Sequence, residues 1–218
     1  MDGHPCRTQQ SIEALMSITH AQVSDAVRAA YNDLNAPDGA ALDPRNYREG
    51  YWALCDLFRD HVSLQTRATA MVGATAVYGW MPRIFGRLND YTAFADVLTA
   101  LRRASTCSEA FLIFTGNSRS EELLRFVNGS VVGTSKFLHF LNPSAVPIWD
   151  SRVARNFGID GAWQVDRVDR FQEYWSGMSV CDHAGPEAFK SFCRSADGRE
   201  ATQLRIMEYA LFLRGVST

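Results

Sequence analysis

The sequence predicts a compact, mostly α-helical protein. Apolar residues recur at spacings of three and four along most of the chain, and the alternating pattern of β-strands is nearly absent. The 218 residues are 46% apolar, which is enough to build a sizeable core. We therefore expect one helical unit over residues 1–218, or two helical lobes within it that flank a cleft.

Six segments show the helical spacing most clearly. In QVDRVDRFQEYW, the apolar residues from Val165 to Trp175 recur at spacings of three and four and predict one buried stripe. The other five, several with Asp, Asn or Ser at the N-cap position, are HAQVSDAVRAAYNDL, RNYREGYWALCDLFRD, DYTAFADVLTALRRA, SEELLRFV and ATQLRIMEYALFLRG. The turn clusters NAPDGAALDP and SADGRE separate helices, but neither is long enough to indicate a linker between domains.

The segment at residues 63–87 is small, apolar and interrupted by glycines. We expect a core helix followed by a loop, with the alternative that this backbone lines a cavity. Trp80 and Met81 are candidates for the wall of a pocket.

Composition excludes several classes of protein. No apolar run approaches the roughly 20 residues of a membrane span, and the start MDGHPCRTQQ lacks the pattern of a secretory signal, so we expect no membrane contact and a cytoplasmic location. The five cysteines are scattered without a CxxC pair, which predicts reduced thiols, no metal and no cofactor. Cys181, His183 and Cys193 form only a partial set of metal ligands.

The formal net charge of −2 is not typical of a nucleic-acid-binding domain. From residue 117 to residue 155, however, five basic residues outnumber three acidic ones. The chain has only two lysines, Lys136 and Lys190, which limits any lysine chemistry to these positions and the N-terminus. Positive charge is thus displaced modestly toward one segment.

That segment contains the stretch GTSKFLHFLNPSAVPIWDSRV. The part SKFLHFL predicts a helix whose core face carries Phe137, Phe140 and Leu141, with Lys136 and His139 on the other side. The preceding connection, NGSVVGT, contains two glycines and leads into the helix N-terminus, where unpaired backbone N–H groups favour a phosphate.

A single carboxylate, Asp150, stands behind the apolar run AVPIW. Pro143 and Pro147 keep the chain out of a helix until Asp150 opens the next one, SRVARNF. An Asp at this place is ordinarily an N-cap, which contributes about 1 kcal/mol. Burial behind Ile148 and Trp149 would raise its pKa.

The order of hairpin, helix, Pro-bracketed turn and Asp resembles the helix-hairpin-helix DNA glycosylase superfamily. The phrase VPIWDSRVARNF is especially similar to the segment around the catalytic Asp in the adenine-excising and thymine-mismatch branches. The resemblance covers residues 118–156 and implies a helix-hairpin-helix motif in an atypical bacterial member.

The resemblance assigns roles residue by residue. Asp150 matches the catalytic carboxylate, Gly133 the second hairpin glycine, and Ser135 the position that holds a lysine in members that also cleave the strand. Lys136 comes one residue later, a rotation of about 100° on a helix, so we expect it to point away from the catalytic position. The resemblance further implies that backbone phosphate contacts come from the hairpin and the helix after the Asp, at Gly133, Thr134, Ser135, Lys136 and Arg152.

Two departures from the family pattern stand out. Val131 occupies the place of the first hairpin glycine, and the distance from hairpin to Asp is about one helical turn short. Both bear on whether the hairpin holds a monovalent cation. The iron–sulfur cluster of some relatives is not expected, because the C-terminal cysteines lack its spacing.

Three interpretations follow. In the first, the chain is a monofunctional DNA glycosylase that flips a modified or damaged base out of double-stranded DNA and acts as a monomer without strand cleavage. Aromatic candidates for its base pocket are Trp80, Phe137, His139 and Trp149. The second is a noncatalytic helix-hairpin-helix DNA-binding module, and the third is an unrelated helical protein.

The sequence does not specify which base is excised. It also leaves two biological roles open, DNA repair and antiviral defence. Similar motifs occur in bacterial proteins resembling a phage-defence glycosylase that removes glucosylated hydroxymethylcytosine. A hypermodified cytosine of phage DNA is therefore one candidate substrate.

Overall fold

The computed structural model describes residues 17–34, 47–81 and 83–217. The protein is mostly helical, as predicted, with 66% of the described residues in helices. The twelve helices of the described residues are α1 (His20–Leu34), α2 (Tyr47–Asp60), α3 (Arg67–Trp80), α4 (Tyr91–Arg103), α5 (Cys107–Thr115), α6 (Ser120–Leu123), α7 (Val131–Leu141), α8 (Ser151–Arg155), α9 (Ala162–Val165), α10 (Val168–Val180), α11 (Glu187–Cys193) and α12 (Gln203–Ser217).

The predicted helices have counterparts in the structure, and all except α1 have shifted ends. The segment SEELLRFV is helical only over α6, and the stripe in QVDRVDRFQEYW is divided between α9 and α10. Residues 63–87 contain the predicted core helix, α3, followed by a loop. The turn cluster NAPDGAALDP lies outside the described residues, whereas SADGRE connects α11 to α12.

The helices pack in two groups that share one hydrophobic core. In one group, α7 packs against α2, α3 and α4, and in the other, α12 packs against α1 and α8 while α10 packs against α1 and α5. Helices α4 and α5 connect the groups. In the described parts of the chain, no helix has both the length and the apolar character needed to cross a membrane.

Helix α7 is the centre of its group. All of its residues except Val132 are buried, including the polar ones. The prediction that Lys136 and His139 lie on a face away from the core is therefore wrong. A helix that is packed by neighbours on every side has no solvent face, whatever its apolar stripe suggests.

The connection before α7 is a tight turn fixed by two left-handed residues, Asn128 (φ 56°) and Gly129 (φ 69°). Helix α7 begins directly afterwards at Val131, so Gly133 lies inside its first turn and not in the hairpin. The strand-like pairing of Leu88 with Val127 ties this turn to the loop that follows α3.

Candidate functional site

Asp150 is the N-cap of α8, as predicted. Its Oδ1 atom accepts hydrogen bonds from the backbone N–H groups of Arg152 (3.0 Å) and Val153 (3.1 Å). Pro147 precedes it in an extended segment, so the local sequence is sufficient to place the carboxylate at a helix N-terminus.

The second oxygen of Asp150 pairs with Lys136. The Lys136 Nζ atom lies 3.1 Å from Asp150 Oδ2, and the two residues are only 5% and 7% exposed. The ammonium also lies 5.5 Å from the centre of the Trp80 ring, within range of a cation–π contact. The expectation that Lys136 points away from the catalytic position is therefore wrong, as is its assignment as a phosphate contact.

The ion pair determines the protonation of Asp150. Burial acts to raise the pKa of the carboxyl, but the charge of Lys136 and the three hydrogen bonds to the carboxylate outweigh burial and hold its pKa below the usual value. The sequence-based expectation of a raised pKa is thus wrong. The structure holds this carboxyl in its ionised form.

The predicted phosphate site at the start of α7 is closed by the protein itself. The Ser130 side chain caps the helix, and Asp166 Oδ1 accepts hydrogen bonds from Ser130 Oγ (2.9 Å) and the Val131 N–H (2.8 Å). A carboxylate therefore occupies the place expected for an external anion.

The neighbouring hairpin residues are also internal. Thr134 Oγ1 accepts a hydrogen bond from the Val127 N–H, and the Ser135 hydroxyl bonds to the backbone of Trp149. A Cβ on Gly133 would lie 2.1 Å from the Tyr78 hydroxyl. Gly133, Thr134 and Ser135 are buried, so the prediction that they contact phosphate is wrong.

Three of the four predicted pocket aromatics belong to the core. Phe137 packs against Phe58 and Phe126, and the Trp149 indole donates to the Val165 carbonyl at 2.7 Å. Both side chains are fully buried, so they are not available to a flipped base.

His139 is likewise a structural residue. Its Nδ1 atom donates to the Val146 carbonyl (2.7 Å) and its Nε2 atom accepts from the Tyr51 hydroxyl (3.1 Å). Burial, helped by the charge of Arg205, lowers the pKa of His139 to about 3, which keeps the ring neutral.

Trp80 differs from these three because it is only half-buried. Its ring packs against Tyr47 at 4.7 Å, and Tyr47 in turn packs against Phe212 at 5.2 Å. We call Tyr47, Trp80 and Phe212 the aromatic cluster. Lys136 lies against one of its rings and Arg152 against another, with the Arg152 guanidinium 4.6 Å from the Phe212 ring.

Arg152 has an unusual environment for a predicted DNA contact. Its Nη1 atom is buried and has no hydrogen-bond partner among the described residues. Arg152 also follows Asp150 by two residues on α8. The aromatic cluster and Arg152 thus border the Lys136–Asp150 pair, and contact of Arg152 with DNA stays a prediction.

Sequence reasoning missed a second buried ion pair, between Arg205 and Glu208 on α12. Glu208 is fully buried, and its Oε1 atom has no hydrogen-bond partner among the described residues. Burial raises the pKa of Glu208 to about 7 against the opposing charge of Arg205, and the charge of Asp150 raises it further. The sequence signal for this buried acid was a single glutamate, Glu208, within the apolar run IMEYALFL.

A cleft lies apart from this pair. It has a volume of about 530 Å³ and runs along α2, between Tyr51, Trp52 and the loop at Arg199. Phe140 lines it and also contacts Trp80, at 5.4 Å. The cleft therefore begins one turn of α7 away from Lys136, and it does not include Asp150.

The fold and the site together define a helical protein with a buried Lys–Asp pair beside an aromatic cluster whose Tyr47 and Trp80 are half-buried and whose Phe212 is buried. Among the described residues, no group of three or more His, Cys, Asp or Glu side chains is placed to hold a metal ion. Comparison of the chain with protein-family models, with curated proteins and with solved structures found no match.

Proposed function

We propose that this protein is a DNA glycosylase that releases a modified or damaged base from double-stranded DNA and leaves an intact abasic strand. The observation that carries the proposal is the buried ion pair of Lys136 with Asp150. An N-cap aspartate needs no lysine partner, because the backbone N–H groups of α8 already satisfy that role.

Stability alone is a poor explanation for the pair. Taking two charges out of water costs several kcal/mol for each ion, and apolar residues of similar volume often give equal or greater stability. Buried charges whose environment fixes their protonation are common at functional sites. Tyr47 and Trp80, the half-buried members of the aromatic cluster beside the pair, supply flat apolar surfaces of the kind on which a base can stack.

The chemistry requires an ionised carboxylate. When the bond between deoxyribose C1′ and the base nitrogen breaks, its electron pair leaves with the base and positive charge develops on the sugar. Asp150 would stabilise that charge and accept a proton from the water whose oxygen joins C1′. Lys136 acts as a positioning residue that keeps the carboxylate ionised and oriented.

The main test is base release by Asp150→Asn. Asn caps a helix as well as Asp does, so a role limited to capping predicts full activity, whereas the glycosylase proposal predicts its loss. The substrates are oligonucleotides with uracil, oxoguanine or alkylated bases, and phage DNA with hypermodified cytosine. Heating with alkali then reveals abasic sites as strand breaks.

The control variants address folding. Asp150→Asn leaves the Lys136 charge buried without its carboxylate, which costs about 3–5 kcal/mol, so the Lys136→Met/Asp150→Asn double variant is tested beside it. Asp160→Asn, in an exposed loop after α8, is the matched control and should keep wild-type activity. Full base release by a folded Asp150→Asn protein would reject the proposal. DNA binding without release from any substrate would favour the noncatalytic module.

Whether the protein also cleaves the DNA strand depends on the state of the Lys136 amine. A bifunctional enzyme needs an unprotonated amine that attacks the sugar and forms a Schiff base. Here the amine is an ammonium that donates to Asp150, which is the basis for proposing release without strand cleavage. Borohydride should therefore trap no covalent complex with DNA. A trapped complex that disappears in Lys136→Ala would identify Lys136 as the nucleophile.

A further inference from the structure

Ile84 is the most exposed of the large apolar side chains in the described residues, at 91%. It lies in the loop that follows α3, the helix that ends at Trp80. Single exposed apolar residues are common on protein surfaces, so exposure alone carries no conclusion. Two further features distinguish this one.

The first feature is a fixed backbone beneath Ile84. The Asn128 side chain accepts hydrogen bonds from the N–H groups of Gly86 and Arg87, both at 2.8 Å, and donates to the Ile84 carbonyl at 3.1 Å. The Asn128 N–H also donates to the Arg87 carbonyl at 3.0 Å. The turn before α7 therefore holds the loop and presents Ile84 outward.

The second feature is unbalanced positive charge. Arg83 and Arg87 are exposed and form no ion pair with any carboxylate of the described residues. The nearby carboxylates pair with other arginines, since Asp90 and Glu122 both pair with Arg119 and Asp166 pairs with Arg125. An apolar tip thus stands between two uncompensated guanidinium groups.

We propose that residues 83–87 form a duplex-DNA contact in which Ile84 inserts between base pairs while Arg83 and Arg87 contact the flanking phosphates. Apolar side chains flanked by basic ones commonly insert in this way, and phosphate contacts hold the duplex in register. The proposal rests on the proposed function. It also replaces the closed N-terminus of α7 as the place where DNA binds.

The position of the loop agrees with the candidate site. Ile84 is four positions after Trp80, and an extended chain of that length spans at most about 14 Å. A base that leaves the stack beside Ile84 would therefore be displaced near the aromatic cluster and Lys136. Trp80, beside the flipped base, and Ile84, which fills the gap in the base stack, would then lie at the two ends of one short segment.

Charge favours DNA over a second copy of this chain as the occupant. In a symmetric dimer formed through this loop, Arg83 and Arg87 of each copy would face the same arginines of the other. That arrangement is repulsive, whereas a phosphate backbone complements it.

The test measures binding and unstacking separately. A duplex with 2-aminopurine opposite an abasic analogue reports unstacking as a rise in fluorescence, and anisotropy reports affinity. Ile84→Ser should bind this duplex about tenfold more weakly and lose most of the fluorescence rise, while undamaged duplex is bound as before. Ile84→Met should behave as wild type. Leu112→Ser, at a residue that is 70% exposed on α5, is the matched control and should change neither readout.

Substitutions of Arg83 and Arg87 should change DNA binding in a different way. Arg83→Ser and Arg87→Ser should each weaken binding to both duplexes equally and lower the salt slope by about one. Wild-type affinity and fluorescence in Ile84→Ser would overturn the DNA contact, even if base release is found. The DNA contact would also be overturned if the wild type is a dimer and Ile84→Ser makes it monomeric without any change in DNA binding.

Failure of the proposed function gives a separate result. The Lys136→Met/Asp150→Asn double variant should keep the Ile84-dependent fluorescence rise and lose base release. An Ile84-dependent rise in the wild type without release of any base would keep the surface and reject the glycosylase.

Discussion

The residues of the candidate site differ in what stabilises their charges. Asp150 has two backbone donors and Lys136, which hold its pKa below the usual value. Glu208 has Arg205 on one oxygen and no hydrogen bond within the described residues on the other, and burial raises its pKa. The electrostatic influence of Asp150 on Glu208 indicates that the two acids share one buried region. Asp150 is therefore ionised at neutral pH, whereas Glu208 titrates near neutral pH.

Glu208→Gln tests this difference through the pH dependence of stability. The pKa of Glu208 is about 7 in the folded protein against 4.5 for an ordinary glutamate, so its contribution to stability is complete below pH 4.5 and is lost as pH rises through 7. Relative to Glu208→Gln, the wild type should lose about 3 kcal/mol of unfolding free energy over that range.

The measurement is urea unfolding at a series of pH values. Glu122→Gln, which changes an exposed glutamate on α6, should keep the wild-type pH dependence. Parallel curves for the wild type and Glu208→Gln would show that Glu208 does not titrate in this range.

At the scale of elements, α7 and α8 place the ion pair by different means. The N-cap geometry of α8 is local, since Asp150 bonds to residues two and three positions ahead. The orientation of α7 is not local, because Asp166 fixes the helix N-terminus from beyond α9 and the hydroxyl of Ser135 bonds to the backbone at Trp149. These two contacts hold the rotation of α7 that directs Lys136 toward Asp150.

Asp166→Ala should destabilise the protein by about 1–2 kcal/mol, because it removes the acceptor for two donors at the start of α7. Chemical denaturation measures the loss. Asp160→Ala is the comparison, since Asp160 is exposed and accepts only from the next residue's N–H; its cost should stay within about 0.5 kcal/mol. Equal stabilities of the two variants would mean that Asp166 does not secure the helix.

At the scale of the whole molecule, the last helix, α12, packs against the helix that carries the candidate site. Helix α12 packs against both α1 and α8. The approach to α8 is so close that a Cβ on Gly215 would lie 1.9 Å from the Arg152 carbonyl oxygen. Arg155 donates to the Gly215 carbonyl at 3.1 Å in the same contact. The C-terminal helix therefore supports the short helix that carries Asp150.

Gly215→Ala should cost about 2 kcal/mol or more in unfolding free energy, because the added methyl group meets backbone that cannot rotate away. Gly79→Ala is the matched control on α3, where a Cβ meets nothing within 4 Å. That variant should be neutral or stabilised by up to about 1 kcal/mol. Thermal unfolding compares them, and a Gly215→Ala protein as stable as wild type would argue against the close contact.

Much of the local structure could be predicted from the sequence. Helix α1 has the predicted bounds, His20–Leu34, because its apolar stripe and flanking residues are local signals. The placement of Asp150 at a helix N-terminus was predictable for the same reason, since proline geometry and capping act over a few residues.

The tertiary structure alone decided what the polar residues of α7 do. Periodicity identifies the more apolar face of a helix, but it does not report whether the other face also meets protein. Lys136 and His139 are buried because α2, α3, α4 and the segment before α8 surround α7. The sequence determined a mostly helical chain with a capping aspartate, and only packing between distant segments gave that aspartate a lysine partner, because a buried charge takes its protonation from groups brought to it in space.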